Sequence, residues 1–143
     1  MNGDIELIAR EKVERIREQL PNRAYRAANA LRNAELDVLA KGGHGGRVYR
    51  VPGTRKYYTA SAPGEVPAVR TGVFRLSWRP KVKSSGDVHK SIIESTVNAG
   101  KYVLGDILEN GTPGGKMAPR PHQDKILKKA RPEIMRIYKE DYF

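Results

Sequence analysis

Apolar side chains recur at Ile5, Ile8, Ala9, Val13, Ile16 and Leu20, with charged residues between them. This is the three- and four-residue spacing of one helix face, and it predicts an amphipathic helix over residues 4–20. Pro21 cannot continue that helix, although it can open another in its first turn. A second helix fits residues 22–40, with Tyr25, Ala28, Leu31, Leu36 and Leu39 on or near one face and alanines suited to close packing. The two segments are either helices in series or one long helix kinked at Pro21, and Gly42 and Gly43 end it.

The pattern then breaks. Residues 42–72 are punctuated by glycine and proline (GGHGG, VPG, SAPGEVPAVRTG), with short strands expected at Val48–Arg50 and Lys56–Thr59. Imperfect alternation over Val73–Val82, a turn at Ser84–Gly86 and a returning strand over His89–Val97 predict an antiparallel hairpin. A short helix is expected over Lys101–Asn110, stopped by Gly111. Residues 112–121 form a Pro/Gly loop. The helical spacing of Ile126, Leu127, Ala130, Ile134, Ile137 and Tyr138 predicts a last helix over 122–140, which Pro132 kinks or restarts.

The expected fold is α+β. A small antiparallel sheet is packed by a long N-terminal helix, kinked at a proline, and by a C-terminal helix, with a long extended loop or hairpin beside them. With 143 residues the chain is expected to be one domain over 1–143. Within it lie a helical region (4–41), an extended basic loop (42–72), a β-hairpin (73–98) and a second helical region (101–140). No cysteine is present, so disulfides, a thiol nucleophile and a Cys-based zinc site are excluded. No signal-peptide pattern and no membrane-length apolar run occurs, so a soluble protein made in the cytosol, without membrane contact, is expected.

Charge changes the picture more than composition does. Of the net +11, residues 41–83 carry nearly all: ten basic residues stand against Glu65 alone. These are Lys41, Arg47, Arg50, Arg55, Lys56, Arg70, Arg75, Arg79, Lys81 and Lys83. They are a solvated basic face or a patch that meets DNA or an acidic partner. Aromatics interleave with them at Tyr49, Tyr57, Tyr58, Phe74 and Trp78. The reading favoured for Phe74 and Trp78 is core packing, while the tyrosines stay open to base stacking.

Catalytic chemistry finds little footing. GTPGGKM at 111–117 lacks the first glycine of a phosphate loop and the hydroxyl residue after its lysine. His44, His89 and His122 form no metal-binding pair, and each is read as a solvent-facing or packing residue. There is no serine elbow and no paired-carboxylate signature. The chain is expected not to be an enzyme and to need no cofactor or metal.

Two stretches carry a resemblance. One is Ala62-Pro-Gly-Glu-Val-Pro-Ala-Val-Arg-Thr-Gly-Val-Phe-Arg-Leu-Ser77. The other is Tyr102-Val-Leu-Gly-Asp-Ile-Leu-Glu-Asn-Gly-Thr112, followed by Met117-Ala-Pro-Arg-Pro121 and a basic helix. In this order they resemble the neck or tail-completion proteins of tailed bacteriophages, a tail-component family that includes minor-tail-protein-Z-like members. His122-Gln123 stands where that family usually has Phe-Leu, so the loop is expected to seat differently here. The resemblance implies a structural virion protein of the head–tail joint, made in the bacterial host cytoplasm. It implies assembly as a homo-oligomeric ring, of six or twelve copies, around double-stranded DNA and against neighbouring neck, connector and tail proteins.

Under this resemblance Gly72 and Gly111 supply tight turns, and Pro119 and Pro121 set the loop path. Glu109 is a candidate to pair with a cation of its own or a neighbouring chain, and Arg120 a candidate intersubunit salt-bridge partner. Thr112 completes the motif. Arg47, Arg50, Arg55, Lys56, Arg70, Arg75, Arg79, Lys81 and Lys83 are candidate contacts to channel DNA or an acidic partner. Alternatives are a tail terminator and a free basic nucleic-acid-binding protein. For the latter, about six neutralised phosphates predict a log–log salt slope near −5.

Overall fold

Ten elements follow one another in a computed structural model that describes residues 2–143. Helix α1 runs unbroken from Asn2 to Ala40, with Pro21 inside it, so of the two alternatives the single long helix is the one that forms. A proline within a helix removes one backbone hydrogen bond and crowds the preceding turn, at a cost of about 3 kcal/mol. Contacts to the C-terminal end of the chain straddle that position. Gln19 donates from Nε2 to the carbonyl of Tyr142 at 2.6 Å. Four residues after Gln19, the Arg23 guanidinium donates to the carbonyls of Ile137, Glu140 and Asp141 at 2.7, 2.8 and 2.9 Å.

After α1 come β1 (Val48–Arg50) and β2 (Tyr57–Thr59), an antiparallel pair with Tyr49 opposite Tyr58. Both short strands lie where the sequence places them, β2 beginning one residue late. The strand expected from Val73 starts instead as a helical turn, α2 (Val73–Leu76), and becomes β3 only at Arg79–Ser85. The spacing fits: Phe74 and Trp78, four apart, turn inward from the helical turn while Leu76 stays exposed, whereas an alternating strand would bring all three to one face. β3 pairs with β4 (Val88–Glu94) across a two-residue turn, Gly86-Asp87. The hairpin is therefore shorter at both ends than 73–98.

β5 (Asn98–Ala99) and β6 (Tyr102–Val103) form a minimal third ladder, which takes the first residues expected to be helical. Helix α3 (Leu104–Asn110) follows and stops at Gly111. Helix α4 (Gln123–Lys139) then closes the chain, with Pro132 inside it rather than at a break. The architecture is α+β: four helices with two-stranded antiparallel ladders.

The core forms along the second half of α1. Ala34, Ile126 and Ala130 join α1 to α4, while Leu39, Val66 and Trp78 join it to the loop and to the start of β3. Val38 and Ile93 pack against both groups and fuse them. Alanines at 24, 27, 28, 30 and 34 are all buried, so β-hairpin and α4 approach the α1 backbone closely. Ser91 takes advantage of this, donating to the carbonyl of Ala24 at 2.6 Å.

The first half of α1 has no such cover. The flanking elements end near Arg17, which pairs with Asp87 at the hairpin tip at 3.3 Å, and near Lys12, whose ammonium lies 5.5 Å from the Phe143 ring. Ile5, Ile8 and Val13 are 68, 52 and 45% exposed. The amphipathic face read from the sequence is half-buried at Ile16 and Leu20, but among the described residues nothing buries Ile5, Ile8 and Val13.

Candidate functional site

The two stretches that carry the resemblance, and the Met117–Pro121 run after the second, meet in space. The Gly64 amide donates to the carbonyl of Pro119 at 3.0 Å, joining the first stretch to the Met117–Pro121 run, and beside it Arg120 Nε donates to Ser61 Oγ at 2.9 Å. Gly105, in the second, sits against Phe74 and Trp78, where an added Cβ would find both rings at 3.7 Å. His122 lies with its ring centroid 5.6 Å from Phe74 and 5.9 Å from Trp78, edge-on to each. It is fully buried. His122 thus fills an aromatic core position and seats the loop that leads into α4.

Glu109 and His122 lock the start of α4. Glu109 Oε2 accepts hydrogen bonds from the backbone N–H of His122 at 2.8 Å and of Gln123 at 3.2 Å, and lies 3.2 Å from His122 Nδ1. A carboxylate on the first free N–H groups of a helix satisfies donors that have no partner within the helix. Thr112 closes the adjoining loop: its Oγ1 accepts from the Met117 amide at 2.9 Å. Gly111 makes the exit from α3 with φ +80°, and a Cβ there would lie 2.7 Å from the carbonyl oxygen of Met117. Gly72 also has φ +80° as it opens α2. Pro121 is half-buried beside this seam.

Arg120, considered from the sequence as an intersubunit salt-bridge partner, bonds within its own chain. Besides Ser61, its Nη1 donates to the carbonyl of Ala118 at 2.8 Å. Between α1, the 67–75 segment and α3 lies a cleft of about 560 Å³, walled by Leu39, Phe74, Leu104, Leu108 and Met117. Arg70, Arg75 and Arg120 stand at its lining.

The basic segment divides into two groups. Arg75 is half-buried and donates from Nε to the carbonyl of Leu36 at 2.7 Å, at the end of α1. Lys81 pairs with Glu94 across the β3–β4 ladder, and Arg79 Nη1 donates to the carbonyl of Leu76 at 2.9 Å. Those three serve the fold as well as the surface, while Lys83 is exposed further along the same strand. Arg47, Arg50, Arg55 and Lys56 instead sit together on the exposed β1–β2 hairpin, and Arg50 Nε reaches only the carbonyl of Thr54, at 2.7 Å. Tyr49 stacks on Tyr58 at 5.7 Å, and Arg70 lies 4.1 Å over the other ring of that pair. Tyr57 is 67% exposed.

Glu65 is the carboxylate that sequence reading passed over. Its Oε2 accepts from the Gly45 amide at 3.1 Å, and this bond, with one at the Ala62 turn, holds the carboxyl below the ordinary range. An added Cβ at Gly43 would lie 2.1 Å from Oε2 and one at Gly45 2.1 Å from Oε1, so these two glycines let the side chain in. The glycine run 42–46 then ladders onto the next segment through Gly43 N–H to Val66 O at 3.0 Å and Gly46 N–H to Ala60 O at 2.9 Å. In this way the base of the basic hairpin is pinned to the motif seam. The proximity of so many glycines to one lone acid was the available signal.

No family model, curated protein or solved structure matches this chain. Among the described residues no helix is long and apolar enough to cross a membrane. Among them, too, no three His, Asp or Glu side chains are grouped to hold a metal ion.

Proposed function

We propose that this chain is a ring-forming structural subunit of the head–tail joint of a tailed bacteriophage, a neck or tail-completion protein that links connector to tail around the DNA channel. The observation that carries the reading is the convergence of the motif stretches. Residues 62–77 and 102–121, distant in sequence from each other, meet in one seam through Gly64–Pro119 and the packing of Gly105 on Phe74, with Ser61, Trp78 and His122 at its borders.

The basic hairpin supports the same reading. Its four cations have no carboxylate on β1 or β2 to answer them, and they point away from the core on a pinned base. Exposed, unpaired positive charge suits transient contact with passing phosphates. Quantitative mass spectrometry of purified particles, counting this chain against the major capsid protein, tests the proposal. Six or twelve copies per particle are expected, with labelled particles marking the neck. Absence from the particle, or a deletion that still yields infectious phage, overturns it.

The hairpin also favours a second reading, a free basic DNA-binding protein. Four neutralised phosphates give a log–log salt slope of about −3.6. Tight binding by the isolated chain with that slope, together with absence from particles, would select it.

A further inference from the structure

The β1–β2 hairpin carries Arg47, Arg50, Arg55 and Lys56, and residues 41–64 contain no acid. The acid that follows, Glu65, is bound to the Gly45 amide at the hairpin base. Cross-strand partners share a face: Tyr49 stands opposite Tyr58, and Arg50 opposite Tyr57. The Val51 amide donates to the Lys56 carbonyl at 2.8 Å, so the same register runs on to pair those two residues. Lys56 and Arg47 therefore lie on the Tyr49–Tyr58 face, whereas Arg50 lies beside Tyr57 on the other. Both faces of the ribbon carry positive charge. We propose that the tip half of this hairpin enters the major groove of duplex DNA, with the cations of its two faces on the phosphates of the two strands. This rests on the reading of the chain as a subunit around DNA, and it names the contact which that reading leaves open.

A ribbon laid flat along one phosphate strand needs its cations on one face. Cations on both faces suit a slot with a charged wall on each side. The major groove is such a slot, about 12 Å wide and about 8.5 Å deep, and it admits a two-stranded ribbon, while the minor groove at about 6 Å does not. Arg50, Arg55 and Lys56 all stand within three residues of Gly53 at the turn, about 10 Å along a strand, which matches that depth. Arg47, at the base, stays at the rim. The rings speak against a single strand, which needs a platform of aromatic faces open to successive bases. Tyr49 and Tyr58 stack on one another and Arg70 covers the second ring, while Tyr57 stands alone on the opposite face. The turn itself has no group left to read a base. Val51, Pro52 and Gly53 have no polar side chain, and Thr54 Oγ1 is engaged by the Val51 carbonyl and the Lys56 amide at 2.9 and 3.1 Å. The contact is therefore to the backbone and independent of sequence.

The full chain is titrated into an end-labelled duplex of mixed sequence, and into either strand alone, with anisotropy read against salt. The duplex is expected to bind at least about tenfold tighter, with a log–log slope of about −3.6 for four phosphates. Arg50→Gln and Lys56→Gln, on opposite faces, should each make the slope shallower by about 0.9. Arg50→Lys, which keeps the charge without the Nε bond to the Thr54 carbonyl, should restore it. Lys125→Gln, at an exposed position of α4, should leave it unchanged. Dimethyl sulfate methylates guanine N7 in the major groove and adenine N3 in the minor groove, so one reaction reports both. The bound chain should protect guanine N7 and leave adenine N3 reactive. Protection of adenine N3 alone, no protection by bound protein, equal affinity for a single strand, or a slope change confined to one face overturns the proposal. So does an absence of DNA binding at low salt, the result expected if the hairpin meets an acidic protein instead. Particle counting separates the two readings. Ring stoichiometry without guanine protection leaves the joint assignment standing and removes the groove contact, whereas guanine protection by a protein absent from particles does the reverse.

Discussion

Replacing Glu35 by glutamine should flatten the pH dependence of folding stability between pH 4.5 and 7. Glu35 is fully buried on α1 beside Ala34. Its Oε2 accepts a hydrogen bond from Arg32 Nη1 at 3.1 Å, while Oε1 has no hydrogen-bond partner in the chain. Burial pushes the carboxyl up from 4.5 to about 7, against the opposing pull of Arg32 and Arg75. Below pH 4.5 the group is protonated in both the folded and the unfolded chain. As pH rises toward 7 the unfolded chain releases the proton and the folded chain retains it, so stability falls and then levels off. The shift from 4.5 to about 7 corresponds to about 3 kcal/mol. For a chain of this length that is roughly 10 °C in melting temperature.

Glutamine keeps the shape and an acceptor for Arg32 but has no proton to lose. Wild type and Glu35→Gln should therefore be close in stability near pH 4.5, with the variant ahead by about 3 kcal/mol at about pH 8. Urea unfolding followed by circular dichroism across that range measures the difference directly. Histidines and surface carboxylates are common to both proteins and cancel. Glu94, Glu133 and Glu140 are held below the ordinary range chiefly by hydrogen bonds from Lys81, Arg136 and Arg26. Their stabilisation is present at neutral pH and is lost only as pH falls below the ordinary carboxylate range, outside the window in question. A difference between the two proteins that stays constant across the range would refute the reasoning.

Other outcomes follow from the same geometry. Glu109→Ala leaves the His122 and Gln123 amides without their shared acceptor and should cost about 1–2 kcal/mol in urea unfolding. Arg23→Ala frees three carbonyls at the end of α4 and removes the cation lying 3.6 Å over the Tyr142 ring. Faster amide hydrogen exchange confined to residues 137–143, with a loss of about 2–3 kcal/mol, is the expected sign. Gly111→Ala places a Cβ against the Met117 carbonyl at positive φ and should destabilise the chain by more than about 2 kcal/mol, whereas Gly3→Ala, with open space around it, should be neutral or stabilising. Charge reversal of Arg47, Arg50, Arg55 and Lys56 should remove salt-sensitive DNA binding while leaving the melting temperature nearly unchanged, since all four are exposed.

Local pattern was enough for much of this molecule. The 3.6-residue spacing determined the long helices, the Val- and Tyr-rich triplets determined the β1–β2 ladder, and Gly111 determined where α3 stops. Each depends on neighbours within a few residues, so one chain segment contains the information. The continuity of α1 through Pro21 did not, because contacts from residues more than a hundred positions away hold both flanks of the proline. The same holds for the helical turn at Val73–Leu76, which exists because Phe74 and Trp78 both turn toward a core assembled from α1, the loop and β3.

Among the candidate site residues, the sequence by itself determined identity and charge: the basic middle segment, the turn glycines and the motif order. Only the tertiary structure decided their partners. It separated the hairpin cations from Arg75, Arg79 and Lys81, turned Arg120 and Glu109 inward, made His122 a core ring and buried Glu35. Pairing across long separations depends on which surfaces fold against one another, and a residue's type limits those choices without selecting among them. The uncovered apolar stripe of α1 shows the division in one element. Its periodicity is written in residues 4–20, but whether anything covers it is settled by where the hairpin and α4 end.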